Sequence, residues 1–323
     1  MNEFELIARY FTRPSRERQG VGDDCALIDV GDRSLAITCD MLIERRHFFS
    51  DADPMSLGHK ALAVNLSDLA AAGATPRCFL LALALPRADE AWLQAFSAGM
   101  LRLADEFACE LIGGDTTRAP AWEASAGPLT ICITALGEVA AGAALSRAGA
   151  RPGDDIWVSG TLGDAALALA LADGAAHADA ADRQACAARL ERPTPRVRLG
   201  EALRGRASAA IDVSDGLLGD LGHIAERSRV GARLRWPELP LSAALLRQPA
   251  ALQQRCALAG GDDYELLFCA PLSKRREIEA AGRAAGVPVT RIGEVLAGSG
   301  IVVLDAEGSN METPFSGFDH FGA

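Results

Sequence analysis

Apolar and polar positions along this chain fall into two recurring periods. Residues 3–11 (EFELIARYF) carry apolar side chains at helical spacing and stop before Pro14, which cannot continue a helix. Residues 25–30 and 34–40, separated by Gly31-Asp32, read as the two strands of a hairpin. The pattern then predicts a helix over 55–72, an apolar strand over 78–85 and an amphipathic helix over 88–109 with acidic residues in its first turn. Residues 110–112 run into a Gly-Gly-Asp turn, and 128–139 form a long strand candidate. Residues 140–153, rich in Ala, Gly and Arg, read as a linker. Beyond them a second series is expected: strand 155–159, helix 163–171, strand 209–213, helix 217–227, strand 264–269, helix 274–285 and short strands at 289–295 and 301–304. Between 177 and 196 the chain is polar, and Pro193 and Pro195 break any helix there. The alternation lacks the regularity of a doubly wound sheet, so the fold class is α+β, in two domains.

One stretch departs from both periods. Residues 61–76 (ALAVNLSDLAAAGATP) are apolar or small on every side of a helix and carry a single charge, Asp68. Burying a carboxylate without compensation costs several kcal/mol, so this Asp requires a partner, and no Lys or Arg stands within the stretch. A metal ion would serve, with Asn65 three positions away on the same side. The competing reading is that Ser67-Asp68 caps a second helix.

Acidic turns of the same kind recur. Asn65-Leu66-Ser67-Asp68 is echoed by Asp212-Val213-Ser214-Asp215, and Leu111-Ile112-Gly113-Gly114-Asp115 by Leu258-Ala259-Gly260-Gly261-Asp262, with the same separation of 47 residues in both halves. The equal spacing suggests two related halves meeting at one site. Together with Asp24 and Asp40 this makes at least six carboxylates on separate turns. Brought together without cations they would repel and raise one another's pKa values, so their convergence implies Mg²⁺, a hard ion that takes oxygen ligands and bridges to phosphates. Taken one at a time, each Asp is better explained as a strand end or a helix cap; taken as a set, they are not.

Composition narrows the partners. A net charge of −11 argues against nucleic acid and anionic membranes. No apolar run approaches spanning length and residues 1–13 lack a signal-peptide pattern, which places the protein in the cytoplasm. The eight cysteines form no C-x-x-C pair and read as reduced core residues, and His47, His59 and His223 have no zinc spacing. The phosphate-binding P-loop, the protein-kinase loops, the dinucleotide fingerprint and the G-x-S-x-G elbow are absent. Metal-assisted chemistry on phosphates is what remains.

The set GVGDDCAL, KALAVNLSDLAAAGATP, LIGGDTTR, DVSDGLLGDLGHI and GGDDYEL, with the closing GFDHF, resembles the thiamine-monophosphate kinase family. The likeness runs in order from the first helix to the last residues and is weakest over 177–192. Shorter versions occur in aminoimidazole ribonucleotide synthetase and selenophosphate synthetase. The resemblance implies the two-domain aminoimidazole ribonucleotide synthetase-like fold. Residues 1–140 would bind ATP and Mg²⁺ and form the interface of a homodimer through a mixed sheet; residues 141–323 would complete the active site. It implies transfer of the ATP γ-phosphate to thiamine monophosphate, giving thiamine diphosphate. By motif position Asp24, Thr38, Asp40, Asp68, Asp115, Asp212 and Asp215 would take several Mg²⁺ ions. Gly114, Arg147 and Ser214 would contact ATP, while His47, Asp262 and Phe315 would hold the thiamine phosphate. Cys39 stands where the family often has Thr, Asp262 where Glu is common and Phe315 where Trp can occur. The rivals are another ATP user of the superfamily, acting on a purine precursor or on selenide, and a non-catalytic nucleotide-binding scaffold. A selenophosphate synthetase would carry a reactive Cys near its N-terminus, whereas Cys25 follows the acidic loop into a strand.

Overall fold

A computed structural model describes residues 3–12, 20–120 and 127–313. The first half runs α1 (Glu3–Tyr10), β1 (Ala26–Val30), β2 (Arg33–Ile43), α2 (Pro54–Ala71), β3 (Thr75–Leu85), α3 (Glu90–Glu106), β4 (Glu110–Arg118) and β5 (Thr130–Ala140). Its strands form a sheet in the order β1-β2-β5-β3-β4, with β3 and β4 parallel and the other neighbours antiparallel. The second half runs β6 (Asp155–Ser159), α4 (Asp164–Ala172), α5 (Ala180–Glu191), α6 (Val197–Leu203), β7 (Ala209–Asp212), α7 (Leu217–Ser228) and β8 (Gly231–Arg235). It continues with α8 (Ala243–Leu246), α9 (Ala250–Ala259), β9 (Leu266–Ala270), α10 (Arg275–Ala285), β10 (Val289–Leu296) and β11 (Ile301–Leu304). These strands form a mixed sheet in the order β11-β8-β10-β6-β9-β7.

Helix α2 is apolar all round because it is covered all round. It packs on α3, on the first sheet, on α6 and on β7. Past its first turn only His59 and Asp68 are not fully buried. The α2–α3 contact is backbone-close: a Cβ on Gly99 would lie 1.9 Å from the Met55 carbonyl oxygen, and one on Gly58 2.0 Å from that of Phe96. Asp53 caps the helix start, accepting the Ser56 N–H at 2.8 Å. The helix continues unbroken through Ser67 and Asp68, which removes the reading of that pair as the cap of a second helix.

Strands β6, β9 and β7 of the second sheet are buried on both faces, which is why they read as continuous apolar runs. Trp157, Ala210 and Phe268 face a core shared with α2, α6 and α10, while Val158, Ile211 and Leu267 face α4, α7 and α9. The expected linker is itself docked: Leu145 is buried and its N–H donates to the Ala72 carbonyl at 3.0 Å.

Several expectations change. The Gly-Gly-Asp at 113–115 is no turn but the middle of β4, paired in parallel with β3 and exposed along its whole length. A helix, α5, does form within 177–196; Asp179 caps it and it ends before Pro193. α6, β8, α8 and α9 have no counterpart among the expected elements. The repeated strings also fall on unlike elements, the first pair on a helix and a strand end, the second on a strand and a helix end. The equal spacing therefore puts the strings at non-corresponding places in the two halves and does not mark a repeat.

Candidate active site

Separate segments bring carboxylates together between the two sheets. The loop before β1 supplies Asp24, α2 supplies Asp68 and the end of β7 supplies Asp212; one oxygen of each lies within 4.8 Å of the others. Each is held by a neighbour. Thr38 on β2 donates its hydroxyl to Asp68 Oδ2. Ser67 Oγ donates to Asp212 Oδ2 at 2.6 Å. Arg147 grips Asp24 Oδ1 with Nη2 at 2.6 Å and Nε at 3.2 Å. Asp40 follows two residues after Thr38 on β2, and its N–H donates to Asn65 Oδ1 at 3.3 Å. Asp215 lies just beyond Asp212, its N–H donating to Asp220 Oδ2 at 3.2 Å.

Burial and mutual repulsion push these groups upward. Asp212 rises to about 8, first by burial and then by the charge of Asp24. Asp40 rises to about 6 by burial and by Asp24 and Asp215. Asp68 is driven well above the usual carboxylate range by burial, Asp40 and Asp212, and Asp220 by burial and Asp215. Asp24 is also raised by burial, with Arg147 opposing the rise. Asp23, beside it, rises to about 7 by burial and the Asp24 charge. Arg147 opposes this rise at Asp23, Asp24, Asp212 and Asp220, and the carboxylates outnumber it.

That imbalance fits a hard cation. Asp24 Oδ2 is buried without a hydrogen-bond partner, and the donors around it are carboxylate and hydroxyl oxygens. Asp68 and Asp212, with Asp40 and Asp215, also line a cavity of about 1170 Å³. Its walls include Ile43, Arg46 and His47 from the first half and Ser214, Asp262 and Tyr264 from the second. His47 Nδ1 accepts the Ile43 N–H at 2.9 Å, which puts the proton of the neutral ring on Nε2.

Of the residues expected from sequence, Asp24, Thr38, Asp40, Asp68, Asp212 and Asp215 are brought together, and Ser214, His47 and Asp262 share their cavity. Arg147 is beside them, but its guanidinium is engaged by Asp24 rather than directed into the cavity. Asp115 and Gly114 lie apart, on the exposed edge strand β4. The glycine there has a local cause, since a Cβ would lie 1.8 Å from the Leu81 carbonyl oxygen. Phe315 and the closing GFDHF lie outside the described residues. Cys25 is not in β1 but just before it, buried, with Sγ donating to the Asp68 carbonyl at 3.4 Å. Sequence reasoning missed Asp23, Asp220, Lys60 and Tyr264. Asp220 carried a signal: it falls in the buried stripe Leu217, Leu221, Ile224 of α7, where an acidic residue is out of pattern.

Comparison with known proteins agrees with this geometry. Residues 22–139 match the family model of AIR synthase related protein, N-terminal domain, and residues 151–305 that of its C-terminal domain. The chain is 46% identical to the thiamine-monophosphate kinase of Escherichia coli K12 over 326 residues, covering 99% of this chain and 98% of the relative. The crystal structure of thiamine-monophosphate kinase from Stenotrophomonas maltophilia K279a superposes with a TM-score of 0.79 at 45% identity, over 95% of this chain and 96% of that one. AaThiL complexed with AMPPCP and TMP superposes with a TM-score of 0.83 at 31% identity, over 99% of this chain and 97% of that one. A buried carboxylate cluster on a two-sheet α+β frame, matched along nearly the whole chain, establishes that the protein belongs to the thiamine-monophosphate kinase family of AIR synthase related proteins.

Proposed function

We propose that the protein transfers the γ-phosphoryl group of ATP to thiamine monophosphate, giving thiamine diphosphate. The observation that carries this reading is the meeting of Asp24, Asp68 and Asp212, with the partnerless Asp24 Oδ2, beside a cavity that Asp68 and Asp212 line together with Arg46, His47 and Asp262. Asp24, Asp40, Asp68, Asp212 and Asp215 would hold Mg²⁺ there, with Thr38 fixing Asp68. When bound, Mg²⁺ neutralises the phosphates of donor and acceptor, the main demand of phosphoryl transfer. Arg147 and Ser67 keep Asp24 and Asp212 in place. Ser214, His47 and Asp262 line the cavity; in this reading Ser214 would contact ATP and His47 and Asp262 the acceptor, with Phe315 assigned to the acceptor by motif alone. No side chain needs to take a proton from the acceptor, because a phosphate oxygen is already a competent nucleophile.

The working unit in this reading is a homodimer in the cytoplasm, with residues 1–140 as the ATP-binding and dimerisation domain and 141–323 completing the site. Two features support the dimer: the unpaired, exposed edge of β4, and exposed Met41, Leu80, Leu111 and Ile112 on β2, β3 and β4. Asp115 and Gly114 would then serve a site completed by the partner subunit. No helix of the described residues is long and apolar enough to cross a membrane. Incubation with ATP, Mg²⁺ and thiamine monophosphate, with thiamine in parallel and products separated by chromatography, tests the reaction. Diphosphate is expected from the monophosphate alone and is lost with EDTA. Phosphorylation of thiamine, or of neither compound by a folded protein, overturns the assignment.

A further inference from the structure

The chain has two lysines, and one of them, Lys60, is buried in the middle of α2 at 4% exposure. Its Nζ lies 2.9 Å from Asp262 Oδ1, an ion pair that joins the central helix of the first half to the cavity wall of the second. Asp262 is held in an unusual way. It takes φ +67°, and its N–H donates to the Ser214 carbonyl at 2.9 Å. Two residues on, Tyr264 takes φ +50° and its N–H donates to the Val213 carbonyl at 2.8 Å. Left-handed backbone at non-glycine residues is costly and persists where surrounding contacts impose it. Here those contacts are the strand-end carbonyls behind and Lys60 in front.

Lys60, Val64 and Asp68 succeed one another at four-residue steps and so lie on one face of α2, the face that Val64 and Asp68 present to the cavity. Lys60 and Asp68 are eight residues apart, roughly 12 Å along the helix axis. One rigid helix therefore fixes the span between the carboxylate cluster and the Asp262–Tyr264 wall. A phosphate held at the Asp68 end would put the remainder of the same molecule against that wall.

We infer that Lys60 is a positioning residue for the acceptor: by pairing with Asp262 it holds that carboxylate and Tyr264 at a fixed distance from the Asp68 end, where they receive the part of the acceptor remote from its phosphate. Lys60 itself does not line the cavity and touches no reacting atom. The inference deepens the proposed reaction and rests on it.

A double-mutant cycle with steady-state kinetics tests it. Lys60→Met is expected to raise KM for thiamine monophosphate roughly tenfold or more, because Asp262 loses the buried charge that holds it. KM for ATP and kcat at saturating acceptor stay within about threefold, since the carboxylate cluster is untouched. Asp262→Asn is expected to raise the same KM, and the double variant is expected to be no worse than Asp262→Asn alone. The double variant leaves no charge buried without its partner, so it carries the comparison if Lys60→Met fails to fold. Multiplicative effects in the double variant, or a fall in kcat with KM unchanged, overturn the inference. A wild-type protein inert toward thiamine monophosphate overturns the reaction on which it rests, and the inference with it.

Discussion

Among the carboxylates that the molecule buries, two groups are treated in opposite ways. Near β9, Glu265 is fully buried, yet every direction from it is satisfied. Arg196 donates from Nε at 2.7 Å and Nη2 at 2.5 Å, Arg189 from Nη2 at 2.7 Å, and Ser159 Oγ at 2.5 Å. Between the sheets, Asp24, Asp40, Asp68, Asp212, Asp215 and Asp220 crowd together with one arginine. Compensated charge is a fastening: it ties β6, α5 and the start of α6 to β9. Uncompensated charge works against the fold, and folding alone gives no reason to place it there.

Substitutions should separate the two most sharply. Asp68→Asn removes a candidate metal ligand while keeping volume and an acceptor for Thr38. Turnover is expected to fall by on the order of 10²–10³-fold or more, with a metal-free Tm unchanged or raised, because one repelling charge is gone. Activity within a few-fold of wild type would remove Asp68 from the site. Glu265→Gln is expected to do the reverse. Leaving two arginines without their carboxylate should cost about 3 kcal/mol, visible as a lower denaturation midpoint, while kcat at a temperature where the variant remains folded stays near wild type. A large kcat loss without destabilisation would show that the two networks are not distinct.

The difference also has a pH signature. Asp40, Asp23 and Asp212 titrate near 6, 7 and 8 in the folded chain, against about 3.8 when free of these neighbours. A raised carboxylate favours the fold while protonated, and that contribution is lost as pH rises through the folded value. Metal-free protein should therefore lose Tm from pH 5.5 to 8.5. Mg²⁺, which competes with these protons, should raise Tm more at pH 8.5 than at 5.5. A Mg²⁺ shift independent of pH would separate the cation from the cluster.

Which of these regions could be read from sequence follows from how each is built. Asp68 stood out because a lone charge breaks an apolar helix, and Asp24, Asp212 and Asp215 stood beside it in short acidic strings. The Glu265 network left no such trace: its arginines come from residues 189 and 196, within a stretch whose prolines suggested no helix, and only packing brings them to β9. β4 was misread for a related reason. Consecutive glycines usually mark a turn, but here they allow one strand to press against its neighbour, a requirement visible only once β3 is in place. Helices and strands with a strong period came through with ends shifted by a few residues, while α8 and α9, short and without periodic pattern, did not.

A third arrangement sets the floor of the comparison. Arg247 makes a fork to Asp182 much like the one Arg196 makes to Glu265, with Nε 2.9 Å from Oδ2, but the arginine side chain is 56% exposed. Water already solvates the guanidinium, and the salt of an ordinary buffer screens the pair, so the same geometry carries little stability. Arg247→Ala is expected to leave both kcat and the denaturation midpoint within experimental error. A shift approaching that of Glu265→Gln would mean that geometry governs these pairs, and burial would lose its place as what separates a fastening from a surface contact.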